Sequence, residues 1–261
     1  MPLPRSSALQ WLKQQMPAGM KQFAKILLRP SHVVVLPYPP SYAEDGMATI
    51  HNCDFIREPD FMRAYALGEA TGSWAGIRWR AHIYSWLALQ CFRLDGDFVE
   101  CGVNRGGYAR MVFDYLPFAA SSKKFYLMDT FNGFDANLLT SDEHALGIPG
   151  AYEYTDCFAD VARTFSAFPN AILVRGSIPS TLPEVRAETV AFLSIDMNCV
   201  EPEIAAAEYF WDKMPPGAVM LLDDYGHPRH VNQKRAFDGF AASKRVKILH
   251  LPTEQGLILK P

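Results

Sequence analysis

The 261-residue chain contains no apolar run of the roughly 18–20 residues that a membrane-spanning helix requires. Its N-terminal stretch also lacks the unbroken apolar core of a secretory signal. No CxxC pair occurs, and the five cysteines (Cys53, Cys91, Cys101, Cys157 and Cys199) are odd in number. A disulfide framework and a zinc knuckle are therefore both disfavoured. Cys101 and Cys199 lie in or beside apolar runs and read as buried free thiols, which points to a reducing, cytoplasmic location. Basic charge is not in excess: 25 Lys and Arg face 28 Asp and Glu, for a net charge of -3, so nothing argues for nucleic acid as a partner. There is no internal repeat, no low-complexity tract and no GxSxG nucleophile elbow of a hydrolase.

One local shortage stands out. Between Met1 and Ala43 there is no acidic residue, while Arg5, Lys13, Lys21, Lys25 and Arg29 supply positive charge beside Trp11, Leu12, Met16, Met20, Phe23, Ile26 and Leu27. Pro17 and Gly19 would break such a segment into short helices. The reading is a helical arm that packs on its own domain or on a sister subunit of a homo-oligomer. Peripheral contact with anionic lipid is the alternative. Pro30, Pro37, Pro39, Pro40 and Pro59 make residues 30–60 read as an irregular connector, so the expected organisation is an arm and connector over 1–60 and one domain over 61–261.

What is present is an ordinary soluble balance, 49% hydrophobic and 20% charged, in a chain long enough to bury a core without crosslinks. A well-buried helix is expected over Trp79–Phe92. Beyond it, short apolar runs at Asp97–Cys101, Lys124–Met128, Ala171–Arg175, Val190–Ile195 and Ala218–Leu222 alternate with helical patterns near Tyr108–Leu116, Cys157–Phe168, Glu203–Lys213 and His230–Ser243. Val246–Leu251 and Gly256–Lys260 are separated by Pro-Thr-Glu-Gln, too short for a crossover helix, so they must pair antiparallel. The pattern predicts an α/β, Rossmann-like fold whose seven-stranded, mostly parallel sheet ends in a C-terminal antiparallel hairpin.

Ligands of open parallel sheets gather at the carboxyl ends of the strands. The first strand leads into Glu100-Cys101-Gly102-Val103-Asn104-Arg105-Gly106-Gly107, where glycines let a ligand approach the backbone and the following helix offers free N–H groups. The GxxxGG spacing is not the GxGxxG of dinucleotide sites, which disfavours NAD. Asp129, followed by Thr130, ends the second strand, where a carboxylate can accept hydrogen bonds from ribose hydroxyls. Ser177, after the third, could edge an adenine ring. Asp196 and the pair Asp223-Asp224 end the next two strands. Carboxylates so close repel one another unless a hard, oxygen-seeking cation such as Mg²⁺ is shared, although helix capping would also explain two of them. The segment 131–154 is too long for a simple connection and reads as a lid. His227, and less clearly His230 and His144, are candidate bases or acceptor contacts. Trp74, Trp79 and Trp86 read as core rather than pocket.

The runs GDFVECGVNRGGYA (96–109), MDTFNGFD (128–135), FLSIDMN (192–198) and PGAVMLLDDYG (216–226) together resemble the TylF-type macrocin O-methyltransferases over roughly residues 75–260. The chain departs from that family's R-x-D-G-D-x-Y run at Ser194–Cys199 but keeps the aspartate. The resemblance implies a class I methyltransferase fold, S-adenosylmethionine as methyl donor, and Mg²⁺-assisted transfer to a hydroxyl, commonly of a sugar. It places Glu100, Gly102, Asn104 and Gly106 around the methionine end of the donor and Asp129 and Thr130 at its ribose. Asp196, Asp223 and Asp224 fall at the metal, and Asp196 also at the general base. The expected acceptor is a small molecule or glycan. A phenolic or catechol-like acceptor, or a donor-binding scaffold without catalysis, remains open at this point.

Overall fold

The computed structural model describes residues 38–148 and 154–261, and the expected basic arm lies outside them. Pro40–Pro261 form one compact unit. It opens with a hairpin, β1 (Tyr42–Glu44) and β2 (Met47–Thr49), within the stretch that the prolines made read as irregular. The turn is Asp45-Gly46, with φ of 49° and 71°. Both positive values are what a two-residue hairpin turn requires and what Asp-Gly readily adopts. The hairpin is held because the buried Tyr42 ring packs edge-on against Trp79 and its hydroxyl accepts a hydrogen bond from the Trp79 N–H at 3.1 Å.

Two helices follow, α1 (Pro59–Glu69) and α2 (Arg78–Cys91). The expected helix over Trp79–Phe92 is there, but its buried stripe is Ala81, Tyr84, Ser85, Ala88 and Cys91, and Trp86 is 52% exposed. Small residues at helical spacing let α2 lie close to the sheet, with the Tyr84 ring edge-on to Phe192, while the Trp86 ring turns to solvent.

The main sheet contains β3 (Asp97–Cys101), β4 (Phe125–Asp129), β5 (Ala171–Arg175), β6 (Val190–Ile195), β7 (Val219–Leu222), β8 (Leu249–His250) and β9 (Gly256–Leu259). Its order is β5-β4-β3-β6-β7-β9-β8, parallel through β7, with β9 antiparallel to both β7 and β8. The expected mostly parallel sheet with a reversed C-terminal hairpin is what forms. β8 is much shorter than anticipated, β7 and β9 by one residue each: Arg245, at φ 58°, ends the preceding helix, and Val246 and Ile248 turn inward onto the core rather than pairing.

Alternation of side chains along each strand builds a core on each face. Phe98, Phe125, Leu127, Phe192 and Leu221 point to the face covered by α1, α2 and α3 (Gly107–Tyr115). Val99, Tyr126, Met128, Leu193, Ile195, Met220 and Leu222 point to the other, covered by α6 (Val200–Trp211) and α7 (Val231–Lys244). Strands covered on both sides read as unbroken apolar runs, which is why their positions were visible in the sequence. The 131–154 segment carries a short helix, α4 (Ser141–Ala145), and α5 (Phe158–Phe165) precedes β5.

Candidate active site

The chain turns back between β3 and β6, and there the strand tips open onto a cavity of about 340 Å³. That volume lies within the roughly 300–1,000 Å³ typical of small-molecule sites. Of the candidate site residues, Glu100, Gly102, Asn104, Asp129, Thr130, Ser177 and Asp196 all line it. Gly106 does not, although Gly107 does, and Trp74 lines it rather than serving only as core.

Gly102 is where the strand tips meet. Its φ is +90°, and a Cβ there would stand 1.8 Å from the main-chain oxygen of Asp196, so no other residue fits without moving β6. Asn104, Phe131 and Asn198 hold φ of 49°, 55° and 58° in the loops after β3, β4 and β6. Left-handed backbone is uncommon outside glycine, most of all for a bulky ring such as Phe131, and three cases around one cavity mark a deliberately shaped rim.

On the β3–β4 side, Asp129 braces the glycine-rich turn. Its Oδ2 accepts from the N–H groups of Val103 and Asn104, both at 2.7 Å. Its Oδ1 accepts from the Phe131 N–H and the Tyr154 hydroxyl, both at 2.6 Å. A ribose hydroxyl reaching Oδ1 would compete with the Tyr154 phenol. Glu100 is 2% exposed, and burial pushes its carboxyl well above the usual range. Its one side-chain partner is the Tyr84 hydroxyl at 3.4 Å, on a ring stacked 4.2 Å from that of Tyr108.

On the β6–β7 side the pairing Ile195–Leu222 sets Asp196 beside Asp223. Asp196 lines the cavity, and Asn198 Nδ2 donates to its Oδ1 at 3.2 Å. Burial first, then repulsion from Asp223 and Asp224, hold its carboxyl well above the ordinary aspartate range. Burial and then Asp223 push Asp224 up to about 7.

Asp223 and Asp224 lie near Asp196 but do not line the cavity, and Asp223 is already satisfied. Arg80 Nη1 donates to its Oδ2 at 2.8 Å, Gln255 Nε2 to its Oδ1 at 3.0 Å, and the Tyr108 hydroxyl lies 3.4 Å from the same Oδ1. Arg80, from α2, also bonds Asp45 at 3.0 Å and stands 3.6 Å from Asp224 and 3.5 Å from Glu254. A guanidinium thus occupies the place between the paired aspartates where the sequence suggested an ion. Among the described residues, no group of three or more His, Cys, Asp or Glu side chains is arranged to hold a metal. Donor capacity for a hard cation persists elsewhere: Asp196 has a single side-chain partner, Asp224 has only long contacts, and Asn198 Oδ1 is buried with no partner. Two carboxylates and an amide oxygen fit Mg²⁺, which commonly takes one or two carboxylates and keeps water. Asp223, which already accepts from Arg80 and Gln255, has less capacity to spare for an ion.

His227 does not line the cavity, and its Nδ1 accepts from the Arg229 N–H at 3.2 Å, closing its own turn. His230 is buried, with Nε2 3.7 Å from Asp224 Oδ2, and burial, reinforced by His227, lowers its pKa to about 4, so it is neutral at physiological pH. His144 is exposed. Sequence reasoning missed Arg80, Tyr84, Tyr108, Tyr154 and Gln255. The one available signal was Arg80 itself, a charge on the same helical face as Tyr84.

A sheet of this order, with its ligand cavity at the turning point beside β3, is the Rossmann-like methyltransferase fold. The family profile for macrocin-O-methyltransferase (TylF) matches residues 89–249, and the chain belongs to that family of S-adenosylmethionine-dependent O-methyltransferases. Among solved structures it is similar to the O-methyltransferase NovP, with 18% identity and a TM-score of 0.59 over 69% of this chain and 79% of that one. It is also similar to CalS11, a calicheamicin methyltransferase, with 15% identity and a TM-score of 0.55 over 80% of this chain and 94% of that one. No curated protein matches the chain. No helix among the described residues is long and apolar enough to cross a membrane.

Proposed function

We propose that the chain methylates a hydroxyl of a sugar, in a glycan or a small glycosylated molecule, with Asp196 taking the proton. The observation that carries this reading is the position of Asp196. It lines the same cavity as the glycine-rich turn and Asp129, and burial with two neighbouring carboxylates holds its carboxyl well above the ordinary aspartate range, which favours uptake of a proton. The donor supplies a methyl group already activated on a sulfonium. Glu100, Gly102, Asn104 and Gly107 would hold its amino-acid end, and Asp129, Thr130 and Ser177 its nucleoside. Asp196, Asp224 and Asn198 would hold Mg²⁺, whose charge lowers the pKa of a bound hydroxyl.

The chain's own work is then alignment and proton transfer. The β3 and β6 tips, locked at Gly102, fix donor and base relative to each other, and such positioning supplies much of the acceleration in a transfer of this kind. Asp196, already repelled by two neighbouring carboxylates, gains from accepting a proton as the hydroxyl attacks. Sugar acceptance is supported by membership of the macrocin-O-methyltransferase family.

The test is release of S-adenosylhomocysteine from purified protein with S-adenosylmethionine and Mg²⁺, against nucleotide sugars, glycosides and catechols. Turnover with a sugar, lost in Asp196→Asn, is the expected result. Turnover with catechols alone would replace the sugar reading by the phenolic one. Donor binding without turnover on any acceptor would favour a scaffold.

A further inference from the structure

We infer that Glu143 is a positioning residue, a clamp that fixes the arm 131–148 across the donor cavity and ties it to the loop carrying Asp196. The inference rests on the methyltransferase reading above. Glu143 sits on α4, whose other residues are all exposed, yet it is itself 1% exposed. A lone carboxylate turned inward from a surface helix must be paid for by partners, and it has four donors. Oε2 accepts from the N–H and the hydroxyl of Thr140, at 2.7 and 2.8 Å, which closes the capping box of α4. Oε1 leaves the arm: it accepts from the Val200 N–H at 2.7 Å and from Asn232 Nδ2 at 3.3 Å.

Val200 is the first residue of α6, and the residue before it, Cys199, makes no side-chain capping bond. Glu143 therefore serves as the missing cap, brought from a remote segment, and places a negative charge at the positive end of that helix. The α6 start follows directly on Asp196, Met197, Asn198 and Cys199, which line the cavity, as do Phe134, Asp135 and Leu138 from the arm. One side chain thus ties together two segments that line the same cavity. The consequence is that an arm released from Val200 loosens the donor site and uncaps the helix behind the base together.

The experiment compares wild type, Glu143→Ala and Glu143→Gln by calorimetric binding of S-adenosylhomocysteine, limited proteolysis and thermal midpoint. Glu143→Ala is expected to weaken binding about tenfold and to raise KM for the donor more than it lowers kcat. New cleavage should appear within 131–148 and be suppressed at saturating ligand, with the thermal midpoint moving by only a few degrees. Glu143→Gln keeps an acceptor for Val200 but turns an amide N–H₂ toward Thr140, so it should fall between the two and serves if the alanine variant does not fold. Unchanged affinity and unchanged cleavage in either variant overturn the inference. So does cleavage spread evenly over the chain with a large fall in midpoint, which would mark Glu143 as a general stabiliser. Wild-type binding reports on the donor reading by itself, and the ligand-free cleavage pattern reports on the clamp by itself.

Discussion

The two halves of the cavity rim solve the same electrostatic problem in opposite ways. At the β3–β4 tips, Asp129 is buried but surrounded by N–H and hydroxyl donors, so its charge holds a loop in shape. At the β6–β7 tips, Asp196, Asp223 and Asp224 crowd together with Arg80 as the one guanidinium bonded to the group, and two of the three keep carboxyls pushed upward. A satisfied carboxylate builds a binding surface, whereas an unsatisfied one is ready to accept a proton or a cation. On the reading proposed above, Asp129 is finished structure on the donor side, while Asp196 and Asp224 keep the acceptor side ready to react.

The largest effect that tests this contrast comes from Asp196→Asn. Loss of a general base should lower kcat by roughly 10²–10⁴-fold. The same substitution should raise stability at pH 8. The folded-state pKa of Asp196 lies above its unfolded value, so the folded state binds the proton more tightly. The cost of ionising it grows as pH rises from the ordinary aspartate range toward the folded pKa, and asparagine removes that cost. Thermal unfolding of both proteins at pH 5 and pH 8 should show the gain growing with pH. A gain over wild type no larger at pH 8 than at pH 5 would mean that the acceptor side carries no such tension.

Next in size is Arg80→Met. Asp223 would lose its one cationic partner among the described residues in a buried setting, and breaking one member of a buried pair costs about 3–5 kcal/mol. Denaturant unfolding measures this, and a loss below about 1 kcal/mol would show that Gln255 and Tyr108 suffice. Asp129→Ala should act on the other half. Hydrogen bonds to a charged group contribute about 1.5–3 kcal/mol, so donor affinity should fall between about tenfold and a hundredfold as the glycine-rich turn relaxes. That change should leave KM for the acceptor near its original value. Smallest is His227→Ala, expected to leave kcat within about twofold, because the imidazole closes its own turn outside the cavity.

Much of this was legible beforehand, for identifiable reasons. Strands buried on both faces announce themselves as apolar runs, and turns such as Glu100–Gly107 advertise glycine where backbone must approach backbone. The division of labour between Asp223 and Asp224 was not legible. It depends on where α2 docks, and a lone arginine on a helix looks like a solvated residue until the sheet is placed against it. The buried face of α2 was misread because ring size drew attention to Trp86, while close packing favoured Ala81, Ala88 and Cys91. The hairpin over 42–49 had its Asp-Gly signal, masked by neighbouring prolines. Glu143 was invisible because its partners, Val200 and Asn232, lie far along the chain.

The contact between Gly102 and the Asp196 carbonyl carries a lesson for redesign. Two paired strands whose tips meet at Gly102 with no spare volume cannot be re-spaced, so on the proposed reading the distance from methyl donor to base is hard-wired. Attempts to broaden the range of acceptors should leave the tips of β3 and β6 untouched.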